Sequence, residues 1–369
     1  MRRAAIVLAM LCAMLSQATA QQYRSEELRI PFAAAGPRGL QALLVRPDDG
    51  RRYPLAVMSH GTPRGGAEKR RETVPGIYYR QAVEFARRGF AVLIVVRRGY
   101  GESDGDFVEV SGPCDRRDYG RSGKISAEDL RAAVAAMRER NDLATQGMIA
   151  IGQSAGGFAS VAFAAGQPQG LAAVISFAGG RGSRGDNDVC DQDRLVEAFG
   201  TFGKTARVPM LWVYSDNDLF FWPELAKRFH AAFQASGGRA KFIAAPAFGS
   251  DGHSLFSMRG APIWTPMVDA FLAEQKLGLQ TPLPPPQAIG LPPPPGFANQ
   301  GLAAFREYLL AGEHKAFAIS KTRRFGWIVG KRSEREARIA ALDACQRTGD
   351  TCTIYAVDDE LESELTNAR

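Results

Sequence analysis

Short apolar segments alternate with longer amphipathic ones between residues 28 and 275. The short segments are rich in Val, Ile, Leu and Ala, as buried strands are, and the longer ones carry apolar residues at the three- and four-residue spacing of a helix. The predicted strands comprise residues 28–33, 40–46, 55–59, 91–96, 148–152, 172–177, 210–214 and 241–245. The predicted helices comprise residues 78–88, 127–139, 156–165, 223–235 and 265–275.

This alternation predicts a fold of the α/β class. Strands that alternate with helices form a mostly parallel sheet, here of eight strands, with helices on both faces. Because no helix separates strands 28–33 and 40–46, we expect these two to form an antiparallel edge. Functional groups of such a sheet gather in the loops that follow its strands.

A different pattern follows a proline-rich stretch. Residues 281–296 read TPLPPPQAIGLPPPPG, which favours an extended polyproline spacer, with a docking ligand as the lesser alternative. Beyond the stretch, Ser333 and Glu336 occupy capping-box positions of a predicted helix. Helices are predicted at 301–310 and 333–345, and strands at 316–320, 326–330 and 353–357. The expected domains are residues 21–276, a linker at 277–299 and a small α+β domain at 300–369.

Residues 1–20 have the three-part pattern of a cleaved secretory signal. Arg2 and Arg3 precede an apolar run at 4–15, and small residues close the segment. The run is too short to span a bilayer, and bulky Leu11 before Cys12 is unlike a lipoprotein acceptor site. We therefore expect an exported protein, periplasmic or secreted, without stable membrane insertion.

The charge gives no indication of a nucleic-acid partner. The formal charge is +7, which removal of residues 1–20 lowers by two, and the 46 Lys and Arg residues form no basic run. Nucleic-acid binding concentrates such residues on one face or along one helix. We therefore interpret the excess Lys and Arg residues as part of a solvated surface.

The cysteines predict two disulfides. Of the five, Cys12 would leave with the signal, and four cysteines in an exported chain favour two bridges. Cys345 and Cys352 lie close in sequence and pair most simply with each other, which leaves Cys114 for Cys190. A zinc site is the alternative, but no two cysteines have two-residue spacing and the histidines lie elsewhere. Neither a metal nor another cofactor is expected.

The most informative motif is Gly-Gln-Ser-Ala-Gly at residues 152–156, where a predicted strand meets a predicted helix. A serine on such a turn holds strained backbone angles, and the flanking glycines remove Cβ atoms that would clash. The hydroxyl of Ser154 would then be exposed above the sheet as a nucleophile. Since the chain has 39 glycines, the motif alone could also occur by chance.

A hydrolytic serine needs a histidine base and usually a carboxylate that orients the histidine. His253 lies in a polar, glycine-containing loop after one predicted strand, and Asp216 and Asp218 follow another. Asp218 is favoured because it lies far enough along its loop to turn back toward His253, with Asp216 as the alternative. An ordinary surface histidine is the competing interpretation of His253.

Two backbone amides are candidates for stabilising an oxyanion. One belongs to Ala155, directly after the serine, and the other to Thr62, in the loop after strand 55–59. His60 in the same loop is expected to brace that loop rather than to act as a base. The two other histidines, expected to be structural or solvent-facing, are His230 and His314.

With the order Ser154, Asp218, His253, residues 26–275 resemble an α/β-hydrolase. Within that superfamily the chain is most similar to dienelactone-hydrolase-like and prolyl-oligopeptidase-like serine hydrolases, whose loop after the fourth strand resembles residues 97–105, RRGYGESDG. True dienelactone hydrolases carry a cysteine nucleophile, so a lactone substrate does not follow. The C-terminal residues, through the pattern AFAIS…GW…S…A…AL..C….C, resemble a cysteine-containing domain of unknown function from exported bacterial proteins.

The resemblance implies acyl transfer to water by a serine hydrolase, with a small-molecule ester or a short peptide as substrate. Few residues precede the first predicted strand, so the propeller of full prolyl oligopeptidases has no counterpart, which favours a carboxylic ester. The alternatives are a serine peptidase that acts on short peptides and a non-catalytic envelope or binding protein on a hydrolase scaffold.

The longest insertion between predicted strands comprises residues 179–207 and is expected to form a lid or rim. A Cys114–Cys190 disulfide would tie this rim to the loop after the fourth strand. Arg181 and Arg184 would either lend positive charge to the mouth of the site or lie on the ordinary surface.

Overall fold

The computed structural model describes residues 22–288 and 290–362. The strands are β1 (Tyr23–Ile30), β2 (Leu40–Pro47), β3 (Tyr53–Ser59), β4 (Ala91–Val95), β5 (Leu143–Gln153), β6 (Leu171–Phe177), β7 (Ser183–Gly185), β8 (Asp188–Val189), β9 (Met210–Ser215), β10 (Ala240–Ala245), β11 (Ala316–Ser320), β12 (Phe325–Ile328), β13 (Cys352–Val357) and β14 (Glu360–Leu361). The helices are α1 (Gly66–Arg71), α2 (Tyr79–Arg87), α3 (Tyr119–Arg138), α4 (Ala155–Ala165), α5 (Gln192–Gly203), α6 (Pro223–Ala235), α7 (Ala261–Glu274), α8 (Gln300–Leu309) and α9 (Glu334–Gln346).

Eight strands form one central sheet in the order β1, β2, β4, β3, β5, β6, β9, β10. β2 pairs antiparallel with both β1 and β4, and the remaining neighbours are parallel. The central strands are buried on both faces because α3 to α6 pack against one face and α2 and α7 against the other. The predicted α/β class, strand number and antiparallel edge are confirmed.

Several predicted elements have different limits in the structure. β1, β5 and α7 begin earlier than predicted, at Tyr23, Leu143 and Ala261. β1 ends at Ile30 rather than at residue 33, since Pro31 has no N–H for the ladder. α3 begins at Tyr119 rather than at residue 127, because the carboxylate of Asp118 accepts from the amide of Arg121 at 2.8 Å and caps the helix. The first turns of α3 bury small and polar residues, so they lack the apolar periodicity that the prediction required.

The C-terminal residues form a small domain around a second sheet, in the order β12, β11, β13, β14. Its pairs are antiparallel. The hydroxyl of Ser333 accepts from the amide of Glu336 at 3.2 Å and caps α9. The Glu336 carboxylate accepts from the amide of Arg332 rather than from that of Ser333, so the expected capping box is displaced by one residue.

Both predicted disulfides are confirmed, Cys114 with Cys190 and Cys345 with Cys352. Each of these four sulfurs is therefore bonded to the sulfur of its partner cysteine and cannot serve as a zinc ligand. The proposed signal at residues 1–20, including Cys12, lies outside the described residues. Over the part of the chain that is described, no helix combines the length and apolar character needed to cross a membrane.

The described residues between α7 and α8 form no helix or strand, although the first half of this segment is anchored. The amides of Leu279 and Leu283 donate to the carbonyls at the end of α2, at 2.8 and 2.7 Å. The carbonyl of Pro284 accepts from the Tyr23 hydroxyl at 2.6 Å. The limits predicted for the linker and the two domains stay predictions.

Candidate active site

Ser154 lies on the sharp turn between β5 and α4. Its φ of +56° and ψ of −124° are strained for a residue with a side chain. The turn needs glycine on both sides, because a Cβ on Gly152 would collide with the backbone of Gly156, and one on Gly156 with the carbonyl of Ser59. The Ser154 amide donates to the carbonyl of Phe177 at 2.9 Å, which fixes the turn at the carboxyl end of the sheet.

His253 and Asp218 contact each other above the same sheet edge. His253 Nδ1 lies 3.2 Å from both carboxylate oxygens of Asp218. The buried Asp218 also accepts from the amides of Phe220 and Phe221 at 2.8 and 2.9 Å. A carboxylate in that position accepts the Nδ1–H, which leaves Nε2 free to take a proton. Asp216 is exposed, so Asp218 is the carboxylate that the fold places against the histidine.

One cavity of about 380 Å³ collects most of the candidate residues. Ser154, His253 and Thr62 all line it. Ala155 is buried beside Ser154 at the start of α4. The other lining residues are His60, Gly61, Pro63, Arg64, Lys69, Glu72, Thr73, Ile77, Tyr78, Gln153 and Phe220.

His60 braces the loop that carries Thr62, as predicted. Its Nδ1–H donates to the carbonyl of Gly61 at 2.6 Å, and its Nε2 accepts from the amide of Arg97 at 3.0 Å. Burial, together with the positive charge of Arg97, lowers the pKa of His60 from 6.5 to about 3. The ring is therefore neutral at physiological pH, and both nitrogens are committed to the backbone.

We expect this histidine to make folding stability depend on pH. Because the pKa of His60 is lower in the folded protein than in the unfolded chain, its contribution is complete above pH 6.5 and declines as the pH falls toward 3. The free energy of unfolding should decrease by about 1.4 kcal/mol per pH unit, or by about 2 kcal/mol between pH 6.5 and 5. Urea unfolding of the wild type and of His60→Asn at both pH values would measure it. Equal slopes in the two proteins would contradict the assignment.

A buried ionic cluster lies beneath the loop that carries His60 and Thr62. Glu109 accepts from Arg97, from Arg181 at 2.6 Å and from the Tyr100 hydroxyl at 2.9 Å. The Thr62 hydroxyl donates in turn to that of Tyr100 at 2.7 Å. Burial alone would raise the pKa of Glu109, but Arg97 and Arg181 hold it well below its usual 4.5. The cluster thus connects the loop that carries Thr62 to the interior by hydrogen bonds.

Both interpretations of Arg181 from the sequence are wrong, because its side chain is buried in this cluster. The Glu109 carboxylate, which accepts from Arg181 at 2.6 Å, is the counterion that makes a cationic side chain stable there. Arg184 is exposed and pairs with Asp188 at 2.7 Å, as an ordinary surface residue does.

The insertion at 179–207 divides into two parts. The β7–β8 hairpin borders the site, since Arg64 of the cavity wall donates to the Ser183 hydroxyl and the Gly185 carbonyl, both at 2.7 Å. The second part forms α5, which packs into the core beside α6 and is not a lid. The rim prediction therefore applies to the hairpin alone.

An aromatic stack beside His253 was missed by the sequence analysis. The Phe220 ring is parallel to the His253 ring, with centroids 3.9 Å apart and planes 11° apart. The guanidinium of Arg64 lies 3.6 Å from the centroid of Phe220. Phe220 could have been suspected, because it follows Asp218 in the same loop, but nothing near Arg64 in the sequence indicates this contact.

Comparison with known proteins agrees with this architecture. Residues 37–204 match the family described as X-Pro dipeptidyl-peptidase (S15 family). No curated protein matches the sequence. The solved structure of an acylaminoacyl peptidase from Pyrococcus horikoshii is similar with a TM-score of 0.50 and 16% identity, over 70% of this chain and 42% of that one.

Two smaller proteins are similar over more of their own length. A putative dienelactone hydrolase from Klebsiella pneumoniae has a TM-score of 0.46 and 14% identity, over 69% of this chain and 98% of that one. A Pyrococcus furiosus esterase has a TM-score of 0.47 and 14% identity, over 69% of this chain and 91% of that one. The chain thus spans less than half of the similar peptidase and nearly all of these two.

The sheet order and the elbow at Ser154 define the chain as a protein of α/β-hydrolase fold. With the match over residues 37–204, it is a hydrolase of that type.

Proposed function

We propose that this protein is an exported serine hydrolase that cleaves a carboxylic ester. One observation carries the proposal. A serine held at positive φ and a histidine bonded to a buried aspartate line the same cavity. Strained backbone of this kind is kept where it serves chemistry.

In the proposed reaction, His253 Nε2 takes the hydroxyl proton as Ser154 Oγ attacks the carbonyl carbon of the substrate. The resulting oxyanion accepts hydrogen bonds from the amides of Ala155 and Thr62. Collapse of the tetrahedral intermediate breaks the ester bond, and the departing alkoxide takes the proton from His253. Water then repeats the sequence on the acyl-enzyme and releases the acid, while Asp218 stabilises each imidazolium.

The charges around the cavity favour an ester over a peptide with a free amino terminus. Such a peptide carries an ammonium group, which needs a carboxylate partner. Among the described residues that line the cavity, Glu72 is the single acidic one, and it pairs with Lys69 at 3.1 Å. Apolar atoms of Pro63, Ile77 and Phe220 offer an acyl group a surface instead.

A serine peptidase that acts on short peptides is the second candidate. The match of residues 37–204 to the X-Pro dipeptidyl-peptidase family favours it. Export to the periplasm or the medium is proposed for either activity. The two disulfides support it, since such bonds persist in oxidising compartments.

A fluorophosphonate probe tests the reaction class. We expect the purified protein to be labelled on the peptide that contains Ser154, because the probe reacts with activated serines. Short-chain nitrophenyl esters should then be cleaved with higher kcat/KM than X-Pro anilides. An unlabelled wild type would contradict the enzyme proposal, and faster cleavage of the anilides would favour the peptidase.

A further inference from the structure

The 3₁₀ turn Pro75–Tyr78 separates the cavity from the C-terminal domain. Ile77 and Tyr78 line the cavity on one side of the turn. On the other side, Gly76 touches Gly330 so closely that a Cβ on Gly76 would lie 2.8 Å from the Gly330 Cα. Real Cβ atoms do not approach other atoms that closely, so the two backbones meet with no room for a side chain.

Tyr78 connects this turn to the proposed catalytic residues. Its hydroxyl accepts from the amide of Gly61 at 3.4 Å, next to Thr62, and donates to the side-chain oxygen of Gln153 at 3.2 Å. The Gln153 amide group donates onward to the carbonyl of His253 at 2.8 Å. These hydrogen bonds would therefore transmit a movement of the turn to the loop that carries Thr62, to Gln153 and to the backbone of His253.

The chain that follows the turn also rests on the C-terminal domain. The ring of Tyr79 covers Gly312, where a Cβ would lie 2.8 Å from the ring. Arg80 forms an ion pair with Glu307 of α8. The turn and the start of α2 are thus held between the cavity and the C-terminal domain.

We propose that the C-terminal domain is a specificity element of the active site and that Gly330 is its positioning residue. By fixing the turn, Gly330 sets the distance of Ile77 from Ser154 and so the acyl groups that the cavity accepts. Ile77 is 55% exposed, which is unusual for isoleucine and suits a side chain that packs against an acyl chain. This inference rests on the proposed function, because it assigns substrate selection in the same cavity.

The chain offers a matched pair of variants, Gly330→Ala and Gly349→Ala. Both glycines belong to the C-terminal domain and have positive φ, +61° and +89°, so both substitutions strain the backbone. At Gly330 the new Cβ would lie 2.7 Å from the carbonyl carbon of Gly76, whereas at Gly349 it would meet nothing within 4 Å. Only the first variant pushes the turn toward the cavity.

We expect Gly330→Ala to change the ratio of kcat/KM for hexanoate and acetate nitrophenyl esters by about tenfold. Gly349→Ala should leave that ratio within about twofold of the wild type. A general loss of stability would lower both rates without changing their ratio. The same ratio in the two variants would overturn the proposal.

Hydrogen exchange gives a readout that does not need activity. Amides of residues 59–63 and 74–79 should exchange faster in Gly330→Ala than in Gly349→Ala. If the wild type resists the fluorophosphonate, the proposed function fails while exchange still tests the coupling. If the wild type is labelled and exchange is equal in the variants, this inference alone fails. Should Gly330→Ala not fold, Glu307→Gln weakens the same docking without a clash and should change both readouts in the same direction.

Discussion

Replacement of Ser154 by alanine should lower kcat for a short-chain ester by about five to six orders of magnitude. The change removes the atom that we propose attacks the carbonyl, and no other hydroxyl is held at the same turn between β5 and α4. The rate that remains would come from substrate binding and the amides of Ala155 and Thr62. Steady-state hydrolysis of nitrophenyl acetate measures it.

Substitutions of the three proposed catalytic residues should lower kcat by unequal amounts, and their effects should not be additive. His253→Ala should cost about as much as Ser154→Ala, whereas Asp218→Asn should cost about four orders of magnitude, because an amide holds the wrong tautomer of the imidazole. The double variant Ser154→Ala/His253→Ala should be no slower than either single variant.

Ser160 is a suitable control for the nucleophile. It is buried on the same helix, and its hydroxyl donates to the carbonyl of Gly156 at 3.0 Å, away from the lining of the cavity. Ser160→Ala should keep kcat within about twofold, since such a bond contributes mainly to stability. Retention of a hundredth or more of the wild-type kcat by Ser154→Ala would contradict the nucleophile assignment.

The second large effect is on stability rather than on chemistry. Glu109→Gln should lower the free energy of unfolding by about 3–5 kcal/mol, because it leaves Arg97 and Arg181 as buried charges without a counterion. The amide has nearly the same shape as the carboxylate, so lost packing contributes little. The midpoint of urea denaturation reports the change.

Glu197→Gln is the matched control, because Glu197 pairs with Arg194 where both side chains are more than half exposed. That substitution should cost less than about 1 kcal/mol. Since the pKa of Glu109 is lower in the folded protein than its usual 4.5, its contribution is present above that pH and is lost as the pH falls below it. The loss of stability under acid should therefore be shallower in Glu109→Gln. Equal midpoints for the two variants would contradict the account.

Strands that are buried on both faces could be predicted from the sequence. β3, β4 and β6 are buried on both faces and read as uninterrupted apolar runs, so their positions follow from composition alone. The turn at Ser154 could be predicted because its motif is contiguous in the chain and because the steric need for Gly152 arises from nearby Gly156. The proposed acid and base could be placed because each follows a strand of the same sheet.

Features that depend on packing between distant segments could not be predicted. Glu109 lies in an irregular segment, and its role depends on Arg181, which is far away in sequence. The α5 helix was taken for a rim because its place in the core is decided by contacts with α6. The Gly76–Gly330 contact joins two domains, and each glycine alone would be taken for a turn residue.

The anchored first half of the interdomain segment affects how firmly the small domain is held. A fully flexible tether would let that domain explore a large volume, and a large interface would be needed to retain it. Here Leu279 and Leu283 are hydrogen-bonded to the end of α2, and Leu291 and Pro292 already contact the small domain, so only the few residues between these two anchored parts can act as a tether. The shorter free chain raises the local concentration of the small domain beside the start of α2. A contact of a few residues can therefore keep the two domains together.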